Sequence, residues 1–457
     1  MSPDSRPSFW QAQAGIVRSL RHRNYRLFFL GQGISLVGTW TQRIALSWLV
    51  YRLTNSEWLL GVVGFSSQIL TFLAAPFAGV LADRTDRRRL LVATQTLAMV
   101  QAFILAVLTF TGTVQVSHII VLSVLLGVVN AFDIPIRQSF VVEMLESRAD
   151  LPNAIALNSS LVNGAKLVGP SMAGILIAMV GEGTCFLING LSFVAVIAAL
   201  LAMKVKPIDL QAQGRHVLHH LKEGLVYTFG FAPIRGILLL LAMVSLLGMS
   251  YTVLLPVFAR DLLHGGPRTL GFLLAANGCG ALGGAVFLAS RSTVRGLGRV
   301  IAFASALFGA ALIAFSFSKD IWLSLALMSV TGFGGMVQMA ASNTLIQTIV
   351  DDDKRGRVMS FYTMAFMGMG PFGSLLAGGL ASHLGSPAAI LIGGAGCILA
   401  AAGFARTLPM LGRLVHPIYV QMGLVPQPAP AGDACLPLAG RPNGAALEAA
   451  SLQEQRL

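Results

Sequence analysis

Charge is scarce in this chain. Only 11% of its 457 residues are Asp, Glu, Lys or Arg, against about 25% in a soluble domain. So few charges cannot cover a soluble protein of this length, and 55% of the residues are hydrophobic. The acidic sign is the rarer, 19 Asp and Glu against 32 Lys and Arg. None falls at mid-depth of a long apolar run, so no carboxylate proton relay is evident. Cysteine is limited to Cys185, Cys279, Cys397 and Cys435. They are scattered, with no disulfide framework and no metal-ligand spacing. No Gly-Lys dipeptide occurs, so a Walker A loop is missing and an ATP-driven pump is disfavoured. No His-Glu-x-x-His pair occurs either, and His118 and His383 lie at the ends of apolar runs. A membrane enzyme needs convergent acid, base or metal groups. The sequence points to no enzyme, no metal and no cofactor.

What is abundant is uninterrupted apolar sequence. Trp58–Ala82 and Leu90–Phe132 carry no Asp, Glu, Lys or Arg. The first is long enough to cross a bilayer once and the second twice, since one crossing takes about 20 apolar residues. Between them lies Gly79-Val80-Leu81-Ala82-Asp83-Arg84-Thr85-Asp86-Arg87-Arg88-Arg89, a cluster that must sit in water at a helix–helix turn. Apolar runs predict membrane helices near 27–52, 58–82, 89–112, 117–138, 154–180, 184–204, 236–259, 269–290, 297–317, 321–349, 357–382 and 386–406. The expected fold is all-α, with twelve transmembrane helices. Continuous rather than alternating hydrophobicity excludes a barrel.

The basic residues orient the chain. Most of the 32 fall on the side of the arginine cluster, while Arg52, Arg260, Arg268 and Lys319 fall on the other. The positive-inside rule then puts both termini in the cytoplasm. The net charge of +13 does not indicate nucleic acid, because the basic residues sit in short turns between apolar helices. Residues 1–26 are a basic cytoplasmic segment with no cleavable signal peptide. Residues 27–204 and 236–406 form two six-helix halves, joined by a basic amphipathic linker at 205–235 that lies along the membrane surface. His216, His219 and His220 in that linker have helical spacing, which reads as a solvated face because no acidic or Cys ligand adjoins them. Residues 407–457 are expected to form a disordered cytoplasmic tail. An internal repeat supports two halves: Gly169-Pro170 recurs as Gly370-Pro371, each pair preceded by a polar turn and followed by small residues. Repeated halves about a central site are what alternating access requires.

The Gly79–Arg89 segment resembles the signature loop of the major facilitator superfamily. Phe132–Gln138, Asn153–Ser159, Asn24-Tyr25-Arg26, Trp40-Thr41-Gln42 and Trp48–Tyr51 are similar to its bacterial branch of enterobactin exporters and related efflux proteins. The resemblance covers roughly residues 20–406. It implies two pseudo-symmetric six-helix bundles rocking about a central cavity in a bacterial inner membrane. It implies a secondary transporter, working as a monomer among membrane lipids and driven by protons or another ion. The implied cargo is an exported amphipathic small molecule of the siderophore or drug class. Two departures stand out. Ser123 occupies the position, four before Gly127, where many proton antiporters carry Arg. Ala165 stands where their fifth-helix motif has Gly. A lipid flippase or a non-transporting sensor on the same fold remains open.

Charges inside apolar helices are the strongest site signals, because each costs about 2.5–3.5 kcal/mol at the bilayer centre. Arg43 and Lys166 are expected to face the cavity as an anion-attracting pair, or to bond neighbouring helices. Gln32, Gln42, Asn130, Asn163, Asn277, Gln338 and Asn343 need partners in lipid and should face the protein interior or water. Trp40 and Tyr251 are candidates to stack on an aromatic ligand. For gating, Gly79, Asp83, Arg84, Arg87, Asp133 and Arg137 are the candidates. The resemblance suggests that Arg87 pairs with Asp133 while Asp83 faces the start of the eleventh helix. Gly169, Pro170, Gly370 and Pro371 are candidate hinges.

Overall fold

The computed structural model describes residues 18–204, 227–291, 293–351 and 354–421, with the side chains of 74–84, 148, 418 and 421 outside that description. His216, His219, His220, most of the linker and residues 422–457 therefore fall outside it. All its regular structure among the described residues is helical. After a short 3-10 turn at Arg18–Arg21 come α1 (Arg23–Thr54), α2 (Glu57–Arg84), α3 (Arg87–Phe110), α4 (Val116–Phe140) and α5 (Leu151–Ala202). Beyond the linker follow α6 (Ala232–Leu262), α7 (Pro267–Ala289), α8 (Leu297–Phe317), α9 (Ile321–Ile349), α10 (Arg355–Leu384) and α11 (Ser386–Gln421). The described residues up to Leu411 form one compact unit, and those from Gly412 belong to a second. In the second, the described residues continue α11 to Gln421, so helix extends past position 406.

Among the described residues, nine helices are long and apolar enough to cross a membrane. Their outward faces are apolar too: Phe303, Phe317, Trp322 and Leu399 are all exposed. Large apolar surface of this kind faces lipid in a stable protein.

Local chemistry sets where the helices start and stop. Ser56 caps α2, its hydroxyl accepting from the Leu59 amide at 3.3 Å. Within the arginine cluster, Asp86 caps α3 by accepting from the amides of Arg88 and Arg89 at 2.9 and 3.2 Å. Asp320 does the same for α9 through the Leu323 amide. These side chains satisfy donors that a helix start leaves open. The long α5 is two helices merged across a break at Gly181, whose φ of 79° lies in the left-handed region. The break falls between the two runs expected at 154–180 and 184–204. Two π turns interrupt α6, at Val244–Gly248 and Phe258–Leu262, and one interrupts α10, at Met364–Gly368. The Ser245 hydroxyl donates to the Phe366 carbonyl at 2.5 Å, so a π turn of α6 is tied to that of α10.

Packing within the first five helices joins α1 to α5, α2 to α4 and α3 to α5; within the rest, α9 packs on α7 and α8. Two seams join the sets, α2 against α10 and α5 against α7. Both seams are built on glycine. A methyl added at Gly61 would lie 2.6 Å from the Ser374 carbonyl, and one at Gly378 would lie 2.7 Å from the Glu57 carbonyl. Across the other seam, a methyl at Gly174 would lie 2.8 Å from the Gly271 Cα. Backbone therefore meets backbone, as small residues permit between membrane helices. Gly61 starts α2, Gly378 ends α10, Gly174 precedes the Gly181 break and Gly271 starts α7, so these contacts share one side of the molecule.

Candidate functional site

The two mid-helix cations and Trp40 converge. The Arg43 guanidinium carbon lies 5.2 Å and the Lys166 ammonium 5.7 Å from the Trp40 ring centroid, both within cation–π range. Local packing explains why. Trp40 and Arg43 are three residues apart on α1, hence neighbours on one face. Lys166 arrives on α5, which lies against α1 because Gly169 leaves room: a methyl there would meet the Trp40 Cβ at 2.5 Å. The Thr41 hydroxyl donates to the Gly169 carbonyl at 3.2 Å and fixes the register. Pro170, the next residue, is buried inside the helix.

Arg43 and Lys166 are both exposed although they sit far from any helix end. Lys166 tops a stripe of exposed polar residues, Ser159, Asn163 and Lys166, at i, i+4 and i+7 on α5. The Asn163 amide donates within its own helix, to the Ser159 carbonyl at 2.9 Å. On α9, Asn343 is half-buried and accepts from Gln347, which is exposed.

The other polar candidates are placed differently. Gln42 is buried and spends its amide on two neighbours, donating to Gln101 at 3.0 Å and accepting from Asn189 at 2.7 Å. Gln338 is fully buried with neither amide atom bonded, and Gln32 is buried with a free Oε1. Asn130 is half-buried on α4. Asn277 donates to the Met328 carbonyl at 3.3 Å, linking α7 to α9. Tyr251 is buried, its ring edge-on to Phe308 at 6.2 Å. Gly370 faces the Gln68 amide oxygen across the α2–α10 seam, and Pro371 is buried.

The gating candidates divide. Gly79, Asp83 and Arg84 lie on α2, their side chains outside the described set. Arg87 pairs with Glu143 at 2.6 Å, a partner that no spacing along the chain singles out. Asp133 is buried, accepts from Thr94 at 3.0 Å and Gln95 at 2.7 Å, and pairs with Arg137 at 3.4 Å. Arg88 closes the end of α5, donating to the Leu200 and Leu201 carbonyls at 2.7 Å each. A cation at a helix C-terminus is favourable.

Two further clusters escaped sequence reasoning. Asp150 is enclosed by Arg18, Arg21 at 2.6 Å and His22 at 2.8 Å. The His22 hydrogen bond, with further help from Arg21 and Arg18, outweighs burial and holds the Asp150 carboxyl down at about 2. Across the two sets of helices, the Tyr51 hydroxyl donates to Asp261, and Arg260 donates to the Asn55 side chain at 2.7 Å. Arg260 also lies 5.7 Å from the Tyr51 ring centroid. This latch is on the same side as the glycine seams. Its partners are more than 200 residues apart, and no local pattern announces them.

Residues 14–413 match the family profile described as transmembrane secretion effector. The staphyloferrin A transporter of Staphylococcus aureus is 28% identical over 354 residues, covering 77% of this chain and 88% of that protein. The multidrug efflux pump Tap of Mycolicibacterium fortuitum is 26% identical over 371 residues, covering 79% and 88%. Among solved structures, the POT family transporter PepTSo superposes with a TM-score of 0.67 at 14% identity, covering 86% of this chain and 99% of that one. A bacterial homologue of the human lysosomal transporter Spinster, inward-facing and unoccupied, gives 0.63 at 14% identity, covering 87% and 98%. At these identities the structural likeness establishes the fold alone.

Proposed function

Since the chain belongs to the transmembrane secretion effector family of the major facilitator superfamily, we propose that it exports amphipathic small molecules by alternating access. The reading has twelve crossings in two six-helix bundles, 27–204 and 236–406, with both termini in the cytoplasm of a bacterial cell. The electrochemical gradient across the inner membrane supplies the energy. The protein acts as a monomer, and the cargo is of the siderophore or drug class, the kinds handled by the relatives named above.

One observation carries this reading. The backbone-to-backbone seams at Gly61–Gly378 and Gly174–Gly271 share a side with the Tyr51–Asp261 latch, while the exposed stripe from Ser159 to Lys166 runs towards the opposite end. In the proposed orientation the outer side is shut and the site opens inward. Trp40, Arg43 and Lys166 form its floor. Asn163, Asn343 and Asn130 line its approach, and Gln32, Gln42, Tyr251, Asn277 and Gln338 support it from the packed faces. Arg87, Asp133 and Arg137, with the Gly79–Arg84 end of α2, gate the inner side. The helices bend at Gly169-Pro170 and Gly370-Pro371.

Reconstitution tests the proposal. Vesicles holding the purified chain should move dyes and siderophore-type solutes down an imposed electrochemical gradient, and empty vesicles should not. Movement of labelled lipid without solute would replace the exporter with a flippase.

A further inference from the structure

Building on the exporter reading, we propose that the Trp40 site takes an amphipathic organic anion with two carboxylate groups, and that the membrane potential acting on those charges drives its export. The argument begins with charge balance. Arg43 and Lys166 flank one indole ring, and among the described residues neither makes an ion pair or a hydrogen bond. Two unneutralised cations at mid-depth are costly and repel each other.

Among the described residues, four carboxylates near the helix ends are committed elsewhere. Asp133 is held by Arg137, Glu143 by Arg87, Glu182 by Arg52 and Asp261 by Tyr51. No Asp or Glu lies in α1 between Arg23 and Thr54, nor in α5 between Leu151 and Gly181. An anionic cargo supplies the counter-charge that neither helix carries.

The chemistry of the three side chains specifies the class. The Arg43 guanidinium offers a planar fork that matches one carboxylate bidentately. The Lys166 ammonium is a point charge suited to a second. The half-buried Trp40 ring beside both cations adds apolar surface for a flat or aromatic body. A cationic drug meets the wrong sign at both contacts.

The same arithmetic supplies the drive. A loaded site, two cations with two carboxylates, crosses the membrane nearly neutral. The empty site returns with its two positive charges towards the negative interior. One cycle exports two negative charges, each favoured about fifty-fold at 100 mV. Two charges together sustain a concentration ratio of roughly 2,000-fold.

Carboxyfluorescein, a flat polycarboxylate dye, and ethidium, a flat cation, serve as probes of the full-length protein. In detergent, carboxyfluorescein should bind and ethidium should bind at least ten-fold more weakly. Arg43→Gln and Lys166→Gln should each weaken carboxyfluorescein at least ten-fold, while Arg43→Lys should weaken it less. An unchanged melting temperature and elution volume certify the folding of each variant. In vesicles at equal pH, a valinomycin potassium potential should set the direction of carboxyfluorescein flux, and inverting the potential should invert the flux. Equal binding of the two dyes, or full binding by the Arg43→Gln, Lys166→Gln double variant, overturns the anion site. Carboxyfluorescein flux that ignores potential and follows a pH difference overturns the drive. Loss of all flux with anion-selective binding intact refutes the exporter reading and the drive while sustaining the site.

Discussion

Replacing Gly378 by Ala should tip the protein away from the closed-outside arrangement. The added methyl would sit 2.7 Å from the Glu57 carbonyl and 2.8 Å from the Gly61 Cα. Both neighbours are backbone, so no side chain can swing aside, and relief requires α2 and α10 to separate. Overpacking of this kind costs about 1–3 kcal/mol. The cost falls only on the state in which the seam is closed, which shifts the equilibrium about 5- to 150-fold towards the state in which it is open. Maleimide labelling reads the shift in a background whose native cysteines are replaced. A cysteine at Val253, which packs against Gly64 on the closed side, should react faster with an impermeant reagent from outside. A cysteine at Gln347, exposed on α9, should react more slowly from inside. A folded Gly378→Ala protein with both rates unchanged would refute the argument that this seam is the outer gate.

Three other outcomes follow from single contacts. Asp133→Ala removes the acceptor of Thr94 and Gln95 and the partner of Arg137; it should cost about 3–5 kcal/mol, read as a melting-temperature drop in detergent. Ser245→Ala deletes the 2.5 Å bond to the Phe366 carbonyl; it should cost about 1 kcal/mol and alter transport rate more than folding, because it frees the π turns of α6 and α10. The Asp150 carboxyl, held down at about 2 by His22, Arg21 and Arg18, adds stability in full above the unfolded carboxylate value of about 3.9. That stability drains away as pH falls towards 2, so the melting-temperature gap between the wild type and Asp150→Asn should shrink across this window.

The sequence displays what depends on composition and short spacing. Long uncharged runs locate the helices because lipid tolerates nothing else. Arg43 and Lys166 stand out because a charge there is expensive, and the Gly-Pro repeat stands out because both copies are adjacent pairs. That the two cations share Trp40 is a matter of helix-on-helix register, set by Gly169 against α1, and no spacing along the chain encodes it. The Asp150 clasp and the Tyr51–Asp261 latch join residues more than 120 positions apart. The π turns carry no local composition signal. Gln42 and Asn163 look alike in sequence, yet one is locked into a buried amide network and the other lies exposed. Only packing separates them.

Spin-label distances in lipid nanodiscs test the central claim most directly, with one pair at Asn55 and His264 on the closed side and another at Glu146 and Lys354 on the opposite side. Alternating access predicts two populations that exchange in opposite senses when transported solute is added, the first pair lengthening as the second shortens. A single unchanging distance at both pairs, with and without solute in a transport-active sample, would contradict it.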